Sequence, residues 1–437
     1  MLRRSLPLAC LSVSAAACGF GPVPLGGDET DGFLLGGAAE SAHLAAAVEG
    51  GDTLTFGGLL ERGDGLVFTA APDPSALLTA TNVLDDDRPR AGRVPLSLLT
   101  YNVGLLDVNI FGVVPYAETP HLERRRSVLP GLIFDRGVDV VVLQEVWLPG
   151  DVEEFRRTAE GFGYRVFVQE RDGHNDGLMS FVRQDILLPG ADVEFDFAAF
   201  GAQNGTEYFP GPGIQRGWVS FRFVHRELGG IRVFNSHMQA YPESWSNRAK
   251  QARELGIAMR TSVAAEADTA NDLVFAGGDF NAGPYYKEAV WRTPVDGDQT
   301  AWFHNTISYP VLLAYGGLVD LAVMGRPAVD ALADVVLGNT VVNDPAAALA
   351  TPGAEAGWCE RTPHTTFTAS DCNSLYFQQY AGTEYPARLD HWMARDPAGR
   401  IVVDRSALTF TEKLRFGDTE VEPSDHYGVL VELLVAP

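Results

Sequence analysis

From residue 94 to the C-terminus, short apolar runs repeatedly stop at a polar side chain. Pro95 to Val103 reads as a strand with Asn102 near its end, and Val138 to Val146 as a second, ending at Glu145, whose unbroken valines imply burial on both faces. Leu273 to Ala276 runs into Gly277 and Gly278 and then into Asp279 and Asn281, two polar heads that a rigid strand end can hold toward one point. Arg216 to Val224 alternates, turns at Glu227 to Gly230 and returns as Ile231 to Ala240, a hairpin with His237 at a strand end. Tyr164 to Gln169, Gly177 to Arg183, Leu389 to Ala394 and Ile401 to Val403 are further strands. In the last one, Pro423 to Leu434, Asp425 and His426 stand at the start, as an antiparallel neighbour requires. Helical spacing predicts helices over 121–136, 151–162 and 246–264. Many strands with few intervening helices argue for packed sheets, not a doubly wound parallel sheet.

The flanking segments read differently. Arg3 and Arg4 precede the apolar stretch Leu6 to Val13 and then Ala15-Ala-Ala-Cys18, the layout of a signal peptide over 1–18 and too short to span a membrane. The residues before Cys18 resemble a bacterial lipobox, with Ala15 where Leu is usual. Residues 19–93 are rich in Gly, Ala, Asp and Pro and read as a tether with a small β appendage, a hairpin within Asp52 to Phe68. Residues 94–437 form the main domain, and 293–388 read as a loop-rich insertion with apolar stretches at 310–323 and 331–342. Of the four cysteines, Cys10 leaves with the signal and Cys359 and Cys372 are close enough to pair. Cys18 is left over at the new terminus. The expected product is an exported protein, anchored to a membrane by lipid on Cys18, with plain secretion as the alternative.

Composition narrows the partners. The 437 residues are 46% hydrophobic, and the net charge of -24 repels polyanions at long range, which disfavours a nucleic-acid partner. There is no internal repeat, P-loop, Gly-x-Ser-x-Gly or CxxC. Nothing in the pattern calls for a second copy, and a monomer is expected.

The polar groups at the strand ends are Asn102, Glu145, His237, Asp279, Asn281, Asp390, Asp425 and His426. Singly, each has a structural reading: Asp279 to Pro284 as a turn, Glu145 as a salt-bridged residue, His237 as a satisfied core histidine, and His364 in the insertion as a surface residue. Together they carry chemistry. Hard oxygen ligands without a Cys/His cluster suit Mg²⁺, Mn²⁺ or Ca²⁺ better than Zn²⁺. Glu145 with Asn102 would anchor one such ion. His426 with Asp390 or Asp425 supplies a positioned acid or base, and His237 and Asn281 are donors for a phosphoryl oxygen. Metal, base and donors together fit hydrolysis of a phosphate ester.

In order, Thr-Tyr-Asn102-Val, Leu-Gln-Glu145-Val, Ser-His237, Gly-Asp279-Phe-Asn281, Leu-Asp390-His and Ser-Asp425-His426 resemble the motifs of the endonuclease/exonuclease/phosphatase superfamily, over about residues 96–434. The resemblance implies a DNase I-like α/β four-layer sandwich, two packed, mostly antiparallel β-sheets flanked by helices. It also implies divalent-metal phosphoesterase activity with Mg²⁺, or Mn²⁺, Co²⁺ or Ca²⁺ in its place. Asn102-Val-Gly-Leu-Leu, Arg216-Gly-Trp and His237-Met-Gln-Ala-Tyr, with Arg248 and Gln251 behind, are similar to the bacterial neutral sphingomyelinases. That branch implies Glu145 and Asn102 on the metal and His426 as base oriented by Asp390. Asp279, Asn281 and His237 would orient the nucleophile and hold phosphate oxygens. The substrate expected is a phospholipid, with a nuclease or phosphomonoesterase of the same superfamily, or a non-catalytic interaction protein on this fold, as alternatives. Two departures bear on the substrate. Residues 409–421 carry Phe410 and Phe416 but no Trp pair where that branch has an exposed aromatic hairpin, and His391 follows Asp390 where Tyr is usual.

Overall fold

Alternation of period 2 sorts the core into layers. The computed structural model describes residues 59–62, 65–68, 90–110, 114–169, 176–201, 214–240, 244–263, 269, 271–283, 308–321, 368–369, 373–380 and 388–437. The cysteines, His364, the tether up to residue 58, the loop 202–213 and the stretch 331–342 lie outside them. A hairpin of β1 (Leu59–Arg62) and β2 (Gly65–Phe68) stands in the appendage.

One six-stranded sheet is built from β3 (Val94–Asn102), β6 (Val140–Gln144), β7 (Tyr164–Phe167), β8 (Met179–Arg183), β15 (Ile401–Thr409) and β18 (Gly428–Val435), in the order β15-β18-β3-β6-β8-β7. The other contains β9 (Glu194–Ala199), β10 (Gly217–His225), β11 (Gly229–His237), β12 (Leu273–Asp279), β13 (Val319–Asp320) and β14 (Asp390–Arg395), in the order β13-β14-β12-β11-β10-β9. Both sheets share one plan. A single parallel pair, β3 with β6 and β11 with β12, sits among antiparallel neighbours.

Between the sheets, Leu96, Leu98, Val140, Val142, Val429 and Val431 pack against Phe221, Phe223, Ile231, Val233, Leu273, Phe275 and Trp392. The alternate residues Leu99, Tyr101, Val141 and Leu143 face outward against α1 (Leu122–Phe134) and α2 (Pro149–Gly161). On the far side Phe234, Val274, Ala276 and Met393 meet α3 (Trp245–Ser262) and α4 (Ser308–Gly316). The result is the expected DNase I-like sandwich of helix, sheet, sheet and helix. A one-residue slip in any central strand would reverse both faces, so the register is strongly specified. Among the described residues, no helix is long and apolar enough to cross a membrane.

Features not expected from sequence include the edge strands β9 and β13, helix α4 in the insertion, a hairpin of β4 (Asp107–Ile110) and β5 (Val114–Glu118), and a small hairpin of β16 (Leu414–Phe416) and β17 (Thr419–Val421). Glu194 to Phe197 of β9 alternate, but the strand is short, stands at the sheet edge and keeps most of its side chains exposed. On and beside the small hairpin, Phe416 is buried, and Phe410 is buried and stacks on Tyr101 at 4.4 Å. The aromatics of 409–421 belong to the core.

Candidate active site

Followed along the same inward face, each central strand changes from apolar to polar near one end of the sandwich. Leu96, Leu98 and Thr100 lead to Asn102, Val140 and Val142 to Gln144, Ile231 and Val233 to Asn235 and His237, and Leu273, Phe275 and Gly277 to Asp279. Asp390 pairs with Asp279 across β14. The inter-sheet core therefore ends in a polar layer at the carboxyl ends of the two parallel pairs, where crevices form in such sheets. A Cβ at Gly277 would lie 2.7 Å from the Trp392 ring, so glycine lets that indole close the apolar core beneath the site.

The polar layer is tightly bonded. Asn102 donates through Nδ2 to Glu145 Oε1 (3.1 Å) and Asp279 Oδ2 (3.0 Å), while its Oδ1 accepts from the Gly104 N–H. Asn102 is thus a bridge between two carboxylates. Asp279 Oδ1 accepts the Asn281 N–H at 2.9 Å, and Asn281 Nδ2 donates to Met238 O. Glu145 follows β6 directly, Asn281 lies two residues past the end of β12, and both adopt positive φ, 64° and 48°, a conformation uncommon for side-chain-bearing residues and enriched at functional sites. His426 Nδ1 donates to Asp390 Oδ2 at 2.8 Å, and its Nε2 faces Asp279 Oδ2 at 3.9 Å. His237 Nε2 lies 3.5 Å from the same Asp279 oxygen. All of the sequence-derived candidates except Asp425 thus gather in one cluster of hydrogen bonds and close contacts around Asp279, and Asp425 stands beside it. Ser424 donates to Asp425 Oδ1, and a Cβ at Gly104 would lie 2.2 Å from that oxygen.

Burial sets the charges. It pushes Glu145 up to about 7, reinforced by the Asp425 charge and opposed by the Asn102 hydrogen bond. Burial and the neighbouring Asp390 also raise Asp279. For His426 burial alone would disfavour the cation, but the Asp390 carboxylate outweighs it, with Asp279 and Asp425 adding, and holds the imidazole well above its ordinary value. Burial, with Arg216 and His426 nearby, holds His237 well below its ordinary value. It is therefore neutral, and an N–H at Nε2 suits its approach to Asp279.

This donor set fits a divalent cation. Ligand atoms of Asp279, Asp390 and His426 all lie within 4.8 Å of one another, Asp390 Oδ1 is buried with no hydrogen-bond partner among the described residues, and Glu145 is a carboxylate raised by burial beside them. These are hard oxygens with one imidazole and no thiolate, the chemistry of Mg²⁺, Mn²⁺ or Ca²⁺. The group is wider than the Glu145 and Asn102 pair expected from sequence, because Asn102 turns its amide hydrogens, not its oxygen, toward the carboxylates.

A test follows from the sign of these shifts. Raised carboxylates hold protons more tightly in the folded state than in the unfolded one, so their unfavourable ionisation develops as pH rises from about 4.5, the ordinary value, through about 7 for Glu145. A cation competes with those protons. The gain in melting temperature between EDTA and Mg²⁺ should therefore be small at pH 5 and grow toward pH 8. A gain that is flat or shrinks with pH would place the ion elsewhere.

Of the supporting residues, Arg125, Gln144, Asn235 and Trp147 were not singled out from sequence, whereas Arg216, Arg248 and Gln251 were. Arg125 is fully buried in α1 and donates to Val103 O, Gly104 O and Pro423 O, fastening the end of β3 to the loop that carries His426. Its signal was present: Leu122, Arg125, Leu129 and Ile133 form one helical stripe with a cation in an apolar position. Gln144 donates to Asn235 Oδ1 at 2.8 Å and ties the two sheets together directly below the site. Arg248 and Gln251 on α3 bond the backbone of Gln239, holding the segment after His237. Arg216 lies over the Trp147 ring, 5.8 Å from its centre, beside His237.

The sequence profile described as the Endonuclease/Exonuclease/phosphatase family matches residues 99–426. The chain belongs to this family. Its members are phosphoesterases, and hydrolysis of a phosphate ester with a divalent ion is the chemistry that the layer described above is equipped for. No curated protein matches the chain in sequence. Solved structures similar to it include TDP2 of D. rerio complexed with single strand DNA product, at 18% identity and TM-score 0.45, covering 78% of this chain and 98% of that one. The beta toxin of Staphylococcus aureus is similar at 14% identity and TM-score 0.49, covering 77% and 99%. SmcL is similar at 14% identity and TM-score 0.48, covering 78% and 99%.

His391, the departure noted beside Asp390, is fully buried on the opposite face of β14. Its Nδ1 meets Asp320 Oδ2 at 3.0 Å, and its Nε2 meets Ala282 O and Arg388 O. Asp320 also accepts from Arg388 and Tyr309, and these partners outweigh burial to hold its carboxyl well below the usual range. The substitution serves the anchorage of the insertion and does not face the polar layer.

Proposed function

We propose that this chain is a Mg²⁺-dependent phosphodiesterase that cleaves a phospholipid in the manner of phospholipase C, with sphingomyelin-like lipids as its substrate class. The observation that carries the hydrolytic part is the Asp390–His426 pair aimed at Asp279 beside Glu145 and Asn102. A bound ion would supply positive charge against the phosphoryl oxygens, held by Glu145 with Asn102 alongside. Asp390 fixes the proton on His426 Nδ1 and leaves Nε2 as the atom that takes a proton from the attacking water. Asp279 orients that water, and Asp425 adds negative charge that favours the imidazolium so formed. The Nε2–H of His237 and the Asn281 amide donate to the phosphoryl oxygens.

The lipid part rests on the sphingomyelinase-like segments and on charge. Arg216, His237, Arg248 and Gln251 all stand at or directly behind the polar layer, and the -24 net charge opposes a polyanionic substrate. With Phe410 and Phe416 in the core, membrane contact falls to the lipid expected on Cys18 of the exported protein. The deciding experiment presents vesicles of sphingomyelin, phosphatidylcholine or phosphatidylinositol, and separately single-stranded DNA, with Mg²⁺ or EDTA. Release of the phosphorylated head group with Mg²⁺ alone is expected. Cleavage confined to DNA would overturn the lipid reading, and no cleavage of any substrate would overturn the enzymatic one.

A further inference from the structure

We infer that Thr368, in the insertion to which the sequence assigned no chemistry, is a positioning residue that sets the distance between Asp390 and His426. Its effect on turnover rests on the proposed hydrolysis, whereas its effect on the pair does not.

Thr368 is completely buried. Its Oγ1 accepts two backbone N–H groups, from Leu389 at 2.9 Å and from Asp390 at 3.2 Å. Its own carbonyl accepts the N–H of Tyr427, the residue after His426, at 2.8 Å. One residue therefore holds the backbone at both members of the pair, which come from β14 of one sheet and from the loop entering β18 of the other and are separated by 36 positions. The connection matters because β14 and the loop before β18 are not hydrogen-bonded neighbours in either sheet. Nothing in the ladders fixes their separation. The 2.8 Å contact needs both backbones placed to within a few tenths of an ångström, and among the described residues Asp390 Oδ1 has no hydrogen-bond partner to help hold the carboxylate.

The neighbouring part of the insertion is fastened to the same loop. Asn373 donates to Ser424 O at 2.8 Å, and its Oδ1 caps α5 (Ser374–Tyr380) through the N–H groups of Leu375 and Tyr376. Ala369 packs with Tyr376 and Leu389. Thr368 is thus held by a rigid surround, which a positioning group requires.

The test compares Thr368→Val, which keeps the shape but removes the acceptor, with Thr368→Ser, which keeps the acceptor. A proton NMR spectrum in water with EDTA should show a downfield resonance from the His426 Nδ1–H, assigned by its absence from His426→Ala. A second, from His391 beside Asp320, reports whether the fold is intact. Thr368→Val should shift or abolish the first resonance and leave the second, and Thr368→Ser should keep both. On bis(p-nitrophenyl) phosphate with Mg²⁺, Thr368→Val should lower kcat by about 10- to 100-fold, with KM changed by less than about 3-fold, as for a displaced but present base. An unshifted His426 resonance in Thr368→Val, or equal losses in the Val and Ser variants, would overturn the inference. If the wild type fails to hydrolyse the ester, the proposed function falls, and the two resonances still decide the role of Thr368.

Discussion

His426→Ala is expected to lower turnover by on the order of 10²–10⁴-fold, the range for losing a positioned general base, and excess Mg²⁺ should not restore it. The expectation comes from geometry. Nδ1 is committed to Asp390 at 2.8 Å, so Nε2 is the one ring atom aimed into the polar layer. A rise of activity with pH follows from a neutral histidine base, and the structure adds where that rise should lie. Asp390, Asp279 and Asp425 together hold the imidazolium well above the ordinary histidine value. The neutral, basic form therefore builds up only on the alkaline side of that value, and the rising limb of the rate profile should lie there. In Asp390→Asn the largest stabilising charge is gone, so the limb should move to lower pH while kcat falls. A limb that stays in place in Asp390→Asn, or Mg²⁺ affinity lost equally with His426→Ala, would mean that His426 supports the metal site instead.

Glu145→Gln is expected to show the opposite combination. Changes in groups that merely support a ligand typically cost 10–100-fold in metal affinity, so loss of the charged ligand should weaken Mg²⁺ by at least about 100-fold. Saturating Mg²⁺ should then recover part of the turnover, because the His426 and Asp390 pair is intact. Glu145 is raised to about 7 by burial and Asp425, so the neutral amide also relieves an unfavourable charge in the metal-free protein. With EDTA at pH 8 the variant should melt above the wild type, and at pH 5 the two should converge as Glu145 takes up its proton. Calorimetric Mg²⁺ titration and paired melting curves separate these effects. Unchanged Mg²⁺ affinity would move the ion to Asp279, Asp390 and His426, which bring their ligand atoms together without it.

The Asp390 and His426 pair shows how far motif reading reaches. Both residues are legible as strand-end polar groups; the residues alone leave the partner of His426 open between Asp390 and Asp425, and the family resemblance implies Asp390. The structure selects Asp390 because β14 begins directly opposite Asp279, while Asp425 is drawn toward Ser424 and the glycine backbone at 104. Asn102 was legible as a polar group at the end of β3, but its orientation was not. Which end of an amide faces two carboxylates depends on partners 43 and 177 residues away.

By itself the sequence determined the central strands, the layers and the identity of the polar end. In a strand every second residue shares a face, so the change from Leu, Val and Phe to Asn, Gln, His and Asp along one face of β3, β6, β11 and β12 is local information. Arg125 too was written in a helical stripe. Tertiary structure alone decided the distances and charges: the 2.8 Å pair, the Glu145 carboxylate raised by burial, and the anchorage through Thr368 and Asn373. Hydrophobic patterning reports which face a residue takes, because burial is a property of the face. Pairing distances and ionisation depend on groups that meet only when two sheets and a distant insertion close around the same point.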